Sequence, residues 1–151
     1  TREGDNFDFQ YFDLVGQKLK GVSLKNANLA HVKLANANLQ SSNLAGINLE
    51  YAGLNNAILE DTNLRNANLK GARLRDVVLR NANLSNANLE YANLRNADLR
   101  GADLRGVKFH RTKLNGADLR GANLQYTNLH GIKLSNVKLE GAIMPGGKIH
   151  P

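Results

Sequence analysis

Ala97-Asp98-Leu99-Arg100-Gly101 is one unit of a five-residue repeat that governs nearly the whole chain. Working outward from Leu99, every fifth position from Leu14 to Leu139 is leucine except Phe109, which makes 25 leucines in 26 positions. Two residues before each leucine stands a small or branched residue, most often alanine, as at Ala27, Ala37, Ala67, Ala87 and Ala97. Leucines five apart rotate about 140° per step around an α-helix and make no face, so an amphipathic helix is excluded. The period also differs from the two-residue alternation of a strand. It suits a chain that turns a corner every five residues. Four corners close one coil, residues twenty apart stack, and backbone groups pair along the axis as in solenoids. The expected class is all-β.

In this register the leucine and the residue two before it point inward. The residues one before, one after and two after it point outward. The position two after the leucine is Gly or Asn in 19 of 28 units, counted from Tyr11 to Gly146. Both residues tolerate the positive φ that the third residue of a type II turn requires. Tyr51, Tyr91 and Arg111 occupy the same position and disfavour positive φ, so another turn class is expected there. Phe109 is larger than the leucine it replaces, and the coil is expected to widen or shift around it.

Composition sets the remaining bounds. The chain has 151 residues, which predicts a single domain over 1–151 with repeats over about 7–144 and a closing segment over 145–151. Formal net charge is +7, which favours an anionic partner. Cysteine is absent, so disulfides and cysteine metal sites are excluded. No apolar run approaches the ~18 residues of a membrane span. The sequence starts at Thr1 rather than Met. A cytoplasmic location is favoured, with periplasm or thylakoid lumen the alternatives if a leader has been removed.

The unbroken A-N/D-L-x-x register over residues 7–144 resembles the pentapeptide repeat family. That resemblance implies a right-handed quadrilateral β-helix of about seven coils. At ~4.8 Å between stacked rungs the rod would be about 34 Å long. The ending Gly141-Ala142-Ile143-Met144-Pro145-Gly146-Gly147-Lys148-Ile149-His150 is similar to the closing segment of cyanobacterial members. Open ends of such a rod need covering. Phe7, Phe9 and Phe12 fall at inward positions of the first coil and are expected to plug it. Pro145 and Pro151 are expected to stop pairing at the other end.

Sorting outward residues by twenty-residue stacking gives four faces. Face one, on the leucines from Leu14 to Leu134, carries Lys33, Arg73, Arg75, Arg95, Lys113 and Lys133 against Asp13 and Asp76, a net +4. Face two, starting at Leu19, is net +1, and its Arg80, Arg100 and Arg120 are expected to pair with Asp98 and Asp118 across coils. Face three, starting at Leu24, is net +2; face four, starting at Phe9, is neutral, and its Glu50, Lys70 and Glu90 column reads as structural. Charge is also polarised along the axis, net −2 over residues 1–62 and net +9 over 63–151. Two asparagine columns, Asn28/Asn48/Asn68/Asn88 and Asn43/Asn63/Asn83, are expected to hydrogen-bond along the axis. Tyr11, His31, Tyr51 and Tyr91 share a corner column of face four with Arg111, which reads either as ring cover for the corner or as a recognition patch.

No catalytic constellation emerges. Glu90, His110 and His130 stack, but a metal site needs more ligands and a supporting shell, so a histidine metal site is not expected. A convex rod has no deep pocket. No enzyme activity, cofactor or metal is expected. The leading functional expectation is a rigid scaffold for protein–protein interaction, with Arg73, Arg75, Arg95 and Lys113 as partner-binding residues and Tyr51 and Tyr91 beside them. The alternative is weak, salt-dependent nucleic-acid binding through the basic face. Some family members resemble duplex DNA and bind DNA gyrase; that role needs an acidic surface, which this chain lacks. A monomer or a weak end-to-end dimer is expected.

Overall fold

The computed structural model describes residues 6–151. Among the described residues there are no continuous strands. The chain is instead held by single parallel bridges between residues twenty apart, such as Asp8 to Asn28, Asn28 to Asn48 and Asp103 to Asn123. Each parallel bridge lies on the residue just before an inward centre, which is leucine except at Phe9, Phe109 and Met144. Four bridges per circuit give a square coil, with a hydrophobic tube along its axis.

In the intact coils the five-residue units pair their backbone along the axis in the same way, and the unit around Leu29 shows how. The Leu29 N–H donates to the Asn48 carbonyl above at 2.7 Å, and the His31 N–H to the Glu50 carbonyl at 2.9 Å. The Asn48 N–H donates to the Ala27 carbonyl below at 2.9 Å, while the Val32 N–H closes the turn onto Leu29 at 3.2 Å. One N–H remains, that of the residue after the leucine. The Asn28 side chain accepts it, from Ala30 at 3.3 Å. Asn or Asp before the leucine therefore completes the set through a local side-chain turn. Asn43, Asn63 and Asn83 act in this way, accepting from Ala45, Arg65 and Ser85. No axial amide ladder joins those three, contrary to expectation. Asn28, Asn48 and Asn68 do form one, with links of 3.0 and 3.1 Å.

The corners correct a second expectation. Every corner residue from Tyr11 to Gly141 has φ between 55° and 75°, including Tyr51 at 56°, Tyr91 at 61° and Arg111 at 55°. The turn is one class throughout. A left-handed residue costs a non-glycine side chain roughly 1–2 kcal/mol. At Tyr51 and Tyr91 two axial hydrogen bonds and two buried inward residues flank the corner, so the global register overrides the local preference.

Inside the tube, Leu34 through Leu104 are almost fully buried. Each contributes roughly 1.5–3 kcal/mol by leaving water. The inward hydroxyls are satisfied by nearby carbonyls: Thr62 by Leu59 at 2.7 Å and Thr112 by Leu89 at 2.7 Å.

The two ends differ. Phe7, Phe9 and Phe12 gather at the N-terminal end, with ring centroids 5.7 and 5.3 Å apart. They do not close it: Phe7 is 45% and Phe12 50% exposed. An apolar hollow of about 240 Å³ remains between Phe9, Phe12 and Leu29. At the other end the chain folds back after Met144. Ile149 bridges Ile143 in antiparallel fashion, and the His150 N–H donates to the Ala142 carbonyl at 2.8 Å. Backbone pairing, rather than the expected proline stop, finishes this end.

The ladder is broken at one place. In the coil beneath it, the N–H groups of Leu89, Tyr91 and Leu94 donate to Lys108, His110 and Lys113 at 3.0, 2.9 and 2.8 Å. One coil higher, the N–H groups of Phe109, Arg111 and Leu114 have no axial acceptor among the described residues, and those of Asn128 and Lys133 do not reach Val107 and Thr112. The bridges Lys108 to Asn128 and Lys113 to Lys133 are missing, while Asp118 to Lys138 is present. The break lies directly above Phe109, whose ring is 2% exposed. A close-packed tube has no room for the extra ring volume, so the wall takes it up. This is the local shift expected at Phe109. Leu129, Ile132 and Leu134, in the last coil, are only partly buried, as Leu14, Leu19 and Leu24 are at the other end.

Candidate interaction surface

The charged faces separate into paired and unpaired sets. On face two, Arg100 grips Asp98 with Nε at 2.8 Å and Nη2 at 2.7 Å, and Arg120 grips Asp118 with Nη2 at 2.6 Å. Arg80 reaches down to Glu60 at 3.1 Å, and its Nε faces Asp98 at 3.7 Å. The expected ion-pair network is present, although its shortest links run within one rung rather than between coils. On face three, Arg105 holds Asp103 in the same two-pronged way, at 2.8 and 2.6 Å. The hydrogen bonds from these arginines hold the carboxyls of Asp98, Asp103 and Asp118 below the usual aspartate value, against a smaller opposing effect of burial.

Face one has no such neutralisation. Arg73, Arg75, Arg95 and Lys113 are exposed, and none has a carboxylate within ion-pair distance among the described residues. They project from stacked rungs whose backbone fixes their spacing: Arg73 bridges Gly53 and Asn93, and Lys113 bridges Asn93. The Arg73 guanidinium lies against Gly53, where an added Cβ would stand 3.2 Å from Nη2. The Arg75 N–H is taken by the Asn55 side chain at 3.0 Å.

The tyrosine corner is a run of stacked rings. Tyr11 and His31 lie 4.8 Å apart and nearly parallel, and His31 and Tyr51 are 5.4 Å apart. The Tyr51 ring continues over Gly71, leaving no room for a Cβ there. Tyr91 meets His110 edge-on at 5.5 Å and carries the Arg111 guanidinium 6.0 Å above its ring. Tyr51 and Tyr91 remain 46% and 47% exposed. The rings thus cover the corner and still present an edge to solvent.

Arg111 connects the two surfaces. It and Lys133 join Arg95 and Lys113 around a cleft of about 240 Å³ at the ladder break. Sequence reasoning did not place Arg111 and Lys133 in the candidate set. The signal that marks them is Phe109, the single departure from leucine, two residues before Arg111. On the face-four side of the break, Glu90, His110 and His130 line a second cleft of about 290 Å³ with Tyr126. Among the described residues no group of three or more acidic or histidine side chains is arranged to hold a metal ion. Among the same residues no helix is long and apolar enough to cross a membrane.

A family model described as pentapeptide repeats matches residues 8–44, 42–81, 82–121 and 102–141. Comparison with curated protein sequences returns no match. Among solved structures, the chain is 28% identical to HetL, a pentapeptide repeat protein involved in heterocyst differentiation regulation from the cyanobacterium Nostoc sp. Strain PCC 7120, over 97% of this chain and 92% of that one, with a TM-score of 0.32. Rfr23 from the cyanobacterium Cyanothece 51142 is 26% identical over 87% of this chain and 86% of its own, with a TM-score of 0.41. A pentapeptide repeat protein from the Arabidopsis thaliana thylakoid lumen is 30% identical over 71% and 68%, with a TM-score of 0.31.

Proposed function

The chain belongs to the pentapeptide repeat family, and from that premise we propose that it is a non-enzymatic scaffold, a single rigid unit of about seven coils, that binds an anionic surface of a protein partner. Arg73, Arg75, Arg95 and Lys113 form the binding stripe, with Tyr51 and Tyr91 on the adjoining corner. One observation carries this reading: four of the five arginines on faces two and three, all but Arg65, hold carboxylates, while Arg73, Arg75 and Arg95 of face one hold none among the described residues. A guanidinium already gripping an aspartate has little left for a partner. A free one offers a planar fork for two oxygens. Because the rungs fix the spacing, little ordering entropy is lost on binding.

The test uses poly-glutamate as a carboxylate probe and duplex DNA as a phosphate probe, each in a salt series. Reversing Arg75 and Arg95 to Glu should weaken poly-glutamate binding by at least about tenfold, or about 1.4 kcal/mol, with stability almost unchanged. Equal binding by the double variant would make the stripe a solubility feature. Tighter binding of duplex DNA at matched salt, with a steep salt slope, would move the role to nucleic acid.

A further inference from the structure

We propose that the ladder break above Phe109 is a docking slot for an extended, acidic peptide segment of a partner protein, which pairs with the two parted rungs along face one. The inference deepens the reading of face one and rests on it for the sign of the partner's charge. Its own support is backbone chemistry.

In the unbroken coils, each rung offers N–H groups and carbonyls to the rung above and below. At the break both lips keep that mixed pattern without partners among the described residues. The lower lip presents the N–H groups of Arg111 and Leu114 and the carbonyl of Thr112. The upper lip presents the N–H and carbonyl of Lys133. A peptide backbone supplies donors and acceptors in alternation and can satisfy both lips by strand addition. A phosphate dianion supplies acceptors alone and would leave the carbonyls unpaired. The mixed pattern therefore favours a peptide.

The charge around the slot selects the peptide's side chains. Arg95, Arg111, Lys113 and Lys133 surround the face-one cleft of about 240 Å³, and no carboxylate lines it. Arg111 is held over the Tyr91 ring at 6.0 Å, at the corner where the slot turns from face four to face one. Acidic side chains leaving an inserted strand on its solvent side would meet these cations. Elsewhere along this face, the bridges Asp13 to Lys33, Lys33 to Gly53, Gly53 to Arg73, Arg73 to Asn93 and Asn93 to Lys113 leave no equivalent opening.

The experiment uses a fluorescent octapeptide of alternating threonine and glutamate, and a charge-matched control N-methylated at alternate residues. The parent protein should bind the first with shifts of the Arg111 and Leu114 amide resonances, and should bind the control about tenfold more weakly. Phe109→Leu, which restores the residue found at the other 25 centres, should pair those amides to the coil above and weaken peptide binding to the same degree. It leaves every cation in place. If Phe109→Leu or the methylated peptide binds as tightly as the parent pair, charge alone holds the peptide; the slot is then overturned while the face-one reading stands. If Arg75→Glu/Arg95→Glu also leaves binding intact, both fail. The slot is equally overturned if the peptide does not bind at all, if the Arg111 and Leu114 amides of Phe109→Leu exchange with solvent as fast as in the parent, or if those amides are protected in a self-associated parent, which would make a second copy the occupant.

Discussion

From Ala27 to Val107 each coil is hydrogen-bonded to the next on all four faces, and its leucines are sealed from water. From Lys108 to Leu134 the same sequence rule continues, yet two of the four faces come apart and the leucines of the upper coil are only partly buried. Repeat units, period and turn geometry are alike in the two regions: the φ of Asn56 is 61° and that of Gly131 is 75°. What differs is one inward side chain, Phe109, and the place of the upper coil at the end of the rod. A solenoid couples only nearest neighbours, so a packing fault in one coil is passed to the next and reaches no further. The ladder recovers by Asp118. Repetition therefore makes this rod tolerant of a fault and at the same time keeps the fault local enough to serve as a site.

The largest effect that would sharpen this contrast is a pair of truncations. Leu69→Ala, in the sealed region, should cost about 2–5 kcal/mol on chemical denaturation. Leu129→Ala, in the parted region, should cost much less, because the site is already loosened and partly wet. Equal losses would show that the upper coil is as well packed as the lower ones. A smaller difference is expected between two glycines of the same corner column. Gly71→Ala and Gly131→Ala both place a side chain at positive φ, a strain of about 1 kcal/mol. Only at Gly71 does the new Cβ also run into the Tyr51 ring, 2.5 Å away, whereas Gly131 has open space. Gly71→Ala should therefore lower the melting temperature further.

Phe109→Leu should change global stability by less than about 1.5 kcal/mol, since a near-conservative swap is set against recovered wall hydrogen bonds. Its clearer signature is local: slower amide exchange at Arg111 and Leu114 with no change at Tyr51. A large global loss would instead make the ring a packing keystone. The smallest effect concerns acid. The carboxyls of Asp98, Asp103 and Asp118 lie below the ordinary value of 3.8 in the folded chain, chiefly through the hydrogen bonds from Arg100, Arg105 and Arg120. Their contribution is full above the unfolded value and is lost as pH falls through the lowered folded values. Melting curves should thus be flat in this respect from neutrality to about pH 4 and decline below it. Replacing all three aspartates by Asn should shallow that decline; an unchanged slope would show that the pairs are too solvated to matter.

Much of this was readable in the chain. The five-residue leucine period excluded a helix and gave the inward set, and the face-two charges announced their ion pairs. The role of Asn and Asp before each leucine was harder to read, because repeated amides suggest an axial ladder as readily as a local turn. Only Asn28, Asn48 and Asn68 make the ladder. Phe7 and Phe12 looked like a plug because they sit at inward positions, but an end coil lacks a neighbour below to close over them.

The sequence by itself determined the coil, its register and the four charged faces, because a strict period leaves one geometry that buries every leucine. It did not determine the conformation of Tyr51, Tyr91 and Arg111. Their local preference is against positive φ, and it is overruled by axial hydrogen bonds to the coils on both sides at Tyr51 and Tyr91 and to the coil below at Arg111. Nor could it show where Phe109 would send its excess volume. The ring could in principle have pressed on any wall of the tube. In the folded chain it parts the wall above, and that places Arg111 and Lys133 beside Arg95 and Lys113 around an open backbone edge. Packing in three dimensions made that choice, since only the assembled coils show which wall yields.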